Sequence, residues 1–416
     1  MSKKFWVVLV GVLIVSSLVA GLILLFSQLG GITPSVVNNA PSIDSYDPSY
    51  SNPELVEGDT LTFSISATDP DGDNITCSWK LSNHIVFQET LTQNHTRSSW
   101  AYHSELRDRG EHLVDCTVSD GRGGVASVDW RAVVHFVELQ VAISNPPGEW
   151  VRDATTDLPC YHSTVSYSVS NLGDALASDV KLIASSEEET LIEKTVSINP
   201  NGDSYSDKLY VTVMYDSSTS LSLQASCGVA SDMDNFEISA KLPRIPVSSS
   251  IKKLYITPND PFIQSTVDEI FEDKAWWDTR ADWKVLCDHV KDGIEYEYDT
   301  NLFGKMEYWQ LPRETLTSGK GDCEDQAILL CTLLRARGYG PEDVFVIIGV
   351  GEEAGHAWVV FKVLDVFGYE VWRYLEPTSS FWGSGVFDLL AQLLGYYENE
   401  YGGYRVLFND QKYETP

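Results

Sequence analysis

Hydrophobic and polar positions fall into three regimes along the chain. Residues Phe5 to Phe26 form an almost continuous apolar run whose only polar side chains are Ser16 and Ser17. At about 1.5 Å rise per residue such a run crosses the roughly 30 Å hydrocarbon layer, so a transmembrane helix is expected within residues 1–30. The second regime has a period of two, the signature of half-buried strands. LTFSISA alternates, and DPDGDN follows it as a turn cluster. In TCSWKL, Cys77, Trp79 and Leu81 share one face; in HLVDCTV, Val114, Cys116 and Val118 do. STVSYSVSN sets Val165, Tyr167 and Val169 inward, and LSLQASC sets Leu221, Leu223, Ala225 and Cys227 inward. Two all-β sandwiches are therefore expected, over residues 38–137 and 138–243.

The third regime is mixed. LPRIPVSSSIKK carries proline, serine and charge without apolar periodicity, so residues 244–256 read as a linker. Beyond it, Trp283, Leu286, Cys287, Val290 and Ile294 recur at helical spacing. ETLTSGKGDCEDQAILLCTLLRARGYG reads as a loop feeding a second helix. VFVIIGV, HAWVVFKV and YEVWRYLEP are three strand-like runs separated by turns. Helices followed by an antiparallel sheet predict an α+β domain over residues 257–416.

Charge and cysteines refine this outline. Lys3 and Lys4 precede the apolar run and no basic cluster follows it, which puts the N-terminus in the cytoplasm and everything after Gly30 outside. A cleaved signal peptide is the alternative. The expected location is thus the cell membrane, single-pass, with an external ectodomain. The net charge of −31 over 416 residues repels phosphate backbones, so no nucleic-acid partner is expected. Seven cysteines and the sequons at Asn74 and Asn94 suit an exported chain. Cys77–Cys116, across a sandwich, and Cys160–Cys227 are candidate bridges, while Cys287 and Cys331 either pair or pack as free thiols. Asp69, Asp71 and Asp73 are read as a polar turn rather than a calcium site.

The chemistry gathers around Cys323. Asp322 is a candidate N-cap, with Asp325 three residues on in the manner of a capping box, so a helix starts at or just before Cys323. A thiol at a helix N-terminus feels the positive end of the macrodipole, but Glu324 and Asp325 oppose it, so a second activator is needed. His356, opening the strand HAWVVFKV after a turn, is the candidate base. Glu376, at the end of the adjoining strand, is the candidate orienting acid, and Asp365 is its rival. Trp309 and Gln310 are candidate oxyanion donors beside the Cys323 backbone N–H; packing of the approach loop is the expected alternative. Cys331 lies two turns from Cys323, about 12 Å away and beyond disulfide reach, so Cys323 is expected to stay unpaired.

GKGDCEDQAILLCTLLRARGY, GHAWVVF and WRYLEPT, in that order, resemble the transglutaminase-like superfamily, and YWQLPRETLTSGKGDCED resembles its prokaryotic cysteine-peptidase group. The resemblance implies a papain-like catalytic domain with Cys323 as nucleophile, His356 as base and Glu376 as orienting acid. The family usually carries Asp where this chain has Glu376. EGDTLTFSISATDPDGD resembles Ig- or PKD-like repeats, and VSYSVSNLGDALASDVKL resembles CARDB-like modules of surface proteins. Together these imply a membrane-anchored cysteine-dependent amide-bond enzyme on a two-module stalk, acting on proteins or peptides at the cell surface. Hydrolysis is favoured over protein crosslinking. A non-catalytic adhesion or peptide-binding scaffold is the alternative from another class. No cofactor is expected; calcium at Asp322 and Glu324 is the alternative, because peptidases of this kind are reported to use it.

Overall fold

The computed structural model describes residues 37–93, 95–144, 146–187, 189–228, 230–350, 355–364, 367–378 and 404–415. The expected membrane anchor at residues 1–30, the sequon residue Asn94 and the rival acid Asp365 lie outside them. Among the described residues no helix is long and apolar enough to cross a membrane. The chain divides into two compact units. One ends at Val137 and includes Gly173–Ala175; the other comprises Glu138–Leu172 and the chain from Leu176 onward.

In the first unit, Ser42–Asp47 (β1), Thr60–Thr68 (β3) and Arg97–His103 (β6) form one sheet in the order β1-β3-β6. The second sheet has Glu54–Val56 (β2), Ile75–Leu81 (β4), His84–Leu91 (β5), Gly110–Ser119 (β7) and Val125–His135 (β8), in the order β2-β8-β7-β4-β5. The alternating positions meet as the sequence requires: Phe63, Trp79 and Trp130 are fully buried, with the two indoles stacked 5.9 Å apart. Cys77 and Cys116 are buried too, but they are not a bridge across the sandwich. They sit on adjacent strands of one sheet, where Cys77 faces Val118 and Cys116 faces Trp79. This diagonal placement leaves the sulfurs 3.1 Å apart without a bond.

The second unit opens with two further sheets. Leu139–Ser144 (β9), Glu149–Arg152 (β10), Pro159–Asn171 (β11) and Asp203–Met214 (β14) form one, with β11 pairing the other three. Ala177–Ser186 (β12), Thr190–Ile198 (β13), Ser217–Cys227 (β15) and Ala230–Ala240 (β16) form the other, in the order β13-β12-β15-β16. Cys160 and Cys227 fall on different sheets and are free, so the expected second bridge is not formed.

Residues 244–256 are more than a tether. Ser249–Leu254 forms helix α1, N-capped by the Ser248 hydroxyl. Leu254, Tyr255 and Ile256 are buried, and Leu242, Tyr255 and Ile256 belong to the core of the C-terminal domain. Polar spacing hid this, because one helical turn followed by two buried residues is too short to show a period. Trp150 and Tyr215 of the second sandwich pack on the same core. Arg244 donates to both Glu314 oxygens at 2.6 and 2.8 Å, and the Asn259 N–H donates to Asp157 at 2.7 Å. The second sandwich and the C-terminal domain therefore share one packed body.

That domain holds Pro261–Glu272 (α2), Asp282–Gly293 (α3), Asp299–Leu302 (α4), Pro312–Ser318 (α5) and Cys323–Ala336 (α6). Two short strands, Glu295–Tyr296 (β17) and Lys320–Gly321 (β18), pair in parallel. Val344–Val350 (β19), Gly355–Leu364 (β20), Glu370–Leu375 (β21), Tyr404–Phe408 (β22) and Tyr413–Glu414 (β23) form a sheet in the order β21-β20-β19-β22-β23. Helix α6 is buried from Glu324 to Leu334 and packs on β19, β20, α2, α3 and α5. Cys287 and Cys331 are buried free thiols in this core.

Candidate functional site

The approach to Cys323 is set by two glycines. Gly319 closes α5 in the left-handed region, at φ 65°, and turns the chain into β18. At Gly321 a Cβ would come within 2.7 Å of the Asp325 Cβ, so a side chain there would push α6 away. Helix α6 then begins at Cys323 as expected. Asp322 occupies the N-cap position, but its carboxylate makes no cap hydrogen bond. Asp325 forms no capping box either. Its two oxygens accept from the Gln310 N–H at 2.8 Å and the Gln310 side-chain amide at 2.6 Å. These carboxylates are drawn into tertiary contacts instead of the helix end.

The sheet brings the second and third residues together. The hairpin of β20 and β21 pairs Val359 with Leu375, so Glu376 leaves β21 beside the start of β20. His356 Nε2 lies 2.6 Å from Glu376 Oε2. The other Glu376 oxygen accepts from the Thr378 N–H at 3.0 Å and the Thr378 hydroxyl at 2.6 Å. Glu376 is only 3% exposed and so cannot turn away. Its extra methylene, relative to the family's Asp, is accommodated within an ordinary hydrogen bond. The Ala357 backbone N–H, next to His356, faces the Cys323 sulfur and acts to lower its pKa, a smaller effect than the burial that raises it. The sequence reading assigned no role to Thr378 or to the Ala357 N–H. The first stands in the quoted WRYLEPT, while a backbone donor has no sequence signal.

The thiol itself is in a protonated environment. Burial, then the charges of Glu324 and Asp322, push Cys323 well above the ordinary cysteine range. Its Sγ donates to Glu324 Oε2 at 3.3 Å. The helix terminus does not outweigh burial among acids. Trp309 and Gln310 are not oxyanion donors. The Trp309 Nε1–H donates to Glu307 at 2.7 Å while its ring stacks on Phe408. The Gln310 amide is held by the Lys320 carbonyl and Asp325.

Beside the thiol lies a buried acidic cluster. Oxygens of Asp299, Asp322 and Asp325 all lie within 4.8 Å of one another. Asp299 Oδ1, Asp322 Oδ1 and Glu324 Oε1 are buried without a hydrogen-bond partner. Burial and neighbouring acids push Asp299 up to about 7, Asp325 up to about 8 and Glu324 up to about 11. Hard oxygens gathered this closely, with orphans on Asp299 and Asp322, fit a divalent cation such as calcium. The sequence pointed to Asp322 and Glu324; Asp299 comes from a separate helix and was missed. Oxygens of Asp69, Asp71 and Asp73 also lie within 4.8 Å of one another, in a turn where Asp69 accepts from two backbone N–H groups and Asp73 pairs with Arg122.

Two stretches of the chain match known protein families. Residues 278–377 match the transglutaminase-like superfamily, and residues 38–131 match a bacterial Ig domain. The centrosomal protein of 76 kDa from Mus musculus is 50% identical over 58 residues, which are 14% of this chain and 8% of that protein. This chain thus spans under a tenth of that relative's length. EGTA-treated Legionella pneumophila LapG is 14% identical with a TM-score of 0.26, over 41% of this chain and 80% of that one. Its calcium-bound form is 15% identical with a TM-score of 0.25, over 41% and 81%. The fibronectin(III)-like modules of Clostridium thermocellum CbhA are 12% identical with a TM-score of 0.20, over 50% and 97%. Structural likeness at these scores carries no weight for activity; the sequence matches identify residues 278–377 as a transglutaminase-like domain and residues 38–131 as a bacterial Ig domain.

Proposed function

We propose that the C-terminal domain is a cysteine-dependent amide-bond enzyme, a hydrolase of proteins or peptides at the outer face of a membrane. The observation that carries this reading is the 2.6 Å contact between His356 Nε2 and a buried Glu376. The carboxylate fixes the imidazole's orientation and stabilises its cation, and base work falls on Nδ1. Cys323 loses its proton to His356 and attacks the amide carbonyl. The amine leaves with that proton and a thioester remains. Water then completes hydrolysis, whereas an amine completes a crosslink. The apolar run at Phe5–Phe26 with Lys3 and Lys4 before it supports anchoring with the domain outside.

The test incubates the full chain, and a Cys323→Ala version, with proteins of its own cell envelope. New N-termini and isopeptide bonds are read by mass spectrometry. Cleavages absent from the variant support the hydrolase, and crosslinks would redirect the reading to a transferase. Identical spectra from two folded proteins would leave the second reading, a peptide-binding scaffold, which the protonated thiol favours. Glu376→Gln should lower kcat by about 10²–10⁴-fold with little change in KM, because it removes the charge that stabilises the imidazolium. An unchanged kcat would remove Glu376 from the mechanism.

Asp299, Asp322 and Asp325, with Glu324 beside them, would hold the calcium ion. When bound, it would supply positive charge next to the thiol and so favour the thiolate. Calcium at a hundred times its Kd should stabilise the fold by about 2.7 kcal/mol, and Asp322→Asn should abolish that gain in thermal melts with calcium or EGTA. An equal melting temperature in both would rule the site out. The pH dependence has a definite sign. Asp299 and Asp325 keep their protons well above the 3.8 of ordinary aspartate, up to about 7 and 8. Their contribution is full below about pH 4 and lost as the pH rises through 7 and 8. The EGTA-treated protein should therefore melt progressively lower from pH 5 to pH 8.

A further inference from the structure

We propose that the cleft between α2 and α3 is a binding site for a lysine- or arginine-bearing segment of a polypeptide. The cleft has a volume of about 1000 Å³. Trp277, 68% exposed, lines it, and Trp276 meets Trp277 edge-on at 5.5 Å with 91% of its surface in solvent. Two adjacent indoles left this bare are uncommon on a surface that contacts nothing. Among the charged groups of the lining acids outnumber bases, with Glu269, Asp273, Asp278, Asp288 and Asp292 against Lys274 and Arg280; His289 and neutral residues complete it.

Both cations are already engaged. Arg280 donates to Asp278 at 2.7 Å and to Asp288 at 2.8 Å. Lys274 donates to the Arg280 carbonyl at 2.7 Å and lies 3.8 Å from Asp282. Glu269, Asp273 and Asp292 pair with no base among the described residues. Unpaired carboxylates around a concavity focus negative potential into it. An indole face is the strongest aromatic partner for a cation. An ammonium or guanidinium group on a flexible stem satisfies both features, whereas an anionic or purely apolar ligand satisfies at most one.

The cleft also lies within a bounded distance of the nucleophile. Gly293 lines its end, and three residues later Tyr296 pairs with Gly321, two residues before Cys323. Three extended residues span at most about 11 Å, the strand pairing adds about 5 Å and two more residues at most about 7 Å, an upper bound of about 23 Å. A peptide whose amide lies at Cys323 would reach the cleft with a side chain at most about seven extended residues away. That substrate role rests on the amide-bond reading, while the binding of the cation does not.

The test uses the full chain and a fluorescein-labelled hexalysine peptide, followed by anisotropy at about 0.15 M salt, where charges beyond about 8 Å are screened. Trp277→Ala and the double variant Asp273→Asn/Asp292→Asn should each weaken binding about tenfold. Glu187→Gln/Glu237→Gln removes the same charge from exposed positions of the second sandwich and should change it less than about twofold. Equal losses in both double variants would show diffuse attraction to an acidic chain and overturn the site, as would wild-type affinity in Trp277→Ala. Thermal melts exclude misfolding in each variant. Loss of binding in the cleft variants together with no turnover in the wild type would uphold the site and sink the enzyme reading alone.

Discussion

Cys323→Ala should lose at least about 10⁴-fold in turnover, down to the uncatalysed background, while its melting temperature stays within about 2 °C of the parent. The reason lies in the division of labour at the site. Burial and the charges of Glu324 and Asp322 act on the sulfur, and Glu376 acts on His356, so the proposed mechanism runs through this one thiol. Alanine favours a helix and removes only one thiol contact from the start of α6. Activity that persists in Cys323→Ala, measured on whatever substrate the envelope experiment yields, would end the thioester mechanism. Cys323→Ser should be equally inactive, because a hydroxyl is a far weaker nucleophile when its base is tuned to a thiol.

The second large effect is on stability. Arg335→Met should cost about 3–5 kcal/mol, because it strips the partner from a carboxylate held in the interior. Arg335, in the last turn of α6, donates to Asp410 at 2.7 and 3.1 Å and also to the Tyr339 carbonyl. The two side chains are 9% and 8% exposed. Asp410 stands in the turn between β22 and β23, so the pair ties the helix that carries Cys323 to the far edge of the sheet. Denaturant unfolding of Arg335→Met and of Arg335→Met/Asp410→Asn checks this. The double variant should recover most of the loss, since the unpaired charge is gone. A single variant as stable as the parent would mean that water replaces the guanidinium.

How far the sequence leads depends on the range of the interactions involved. Period-two alternation predicted the inward faces at Val114, Cys116 and Val118 and at Val165, Tyr167 and Val169, because a strand face is fixed by parity alone. It could not say which strands would be neighbours, and so Cys77 and Cys116 were assigned to opposite sheets when they share one. Helical spacing predicted the buried face of α3 at Leu286, Cys287 and Val290. The GKGDCED run located the start of α6 through Asp322 and Asp325, although neither caps the helix; Gly319 and Gly321 serve a left-handed turn and a close approach that other residues resist.

The site divides in the same way. The positions of Cys323, His356 and Glu376 were legible because each stands at the end of a regular element, and the pairing of β20 with β21 brings His356 to Glu376. The state of the thiol was not legible. It depends on burial and on how many carboxylates converge, and Asp299 reaches the cluster from α4, some twenty residues upstream in a separate helix. Asp322 looked like a helix cap because local hydrogen bonding is all that a sequence displays, while a tertiary cluster claimed its carboxylate. The sequence by itself determined the modules, the inward faces and the order of the three site residues, all set by interactions a few positions apart. Only the tertiary structure decided the sheet partners, the protonated thiol, the buried acids and the cleft beside α3, because these depend on distances between segments that the chain does not fix locally.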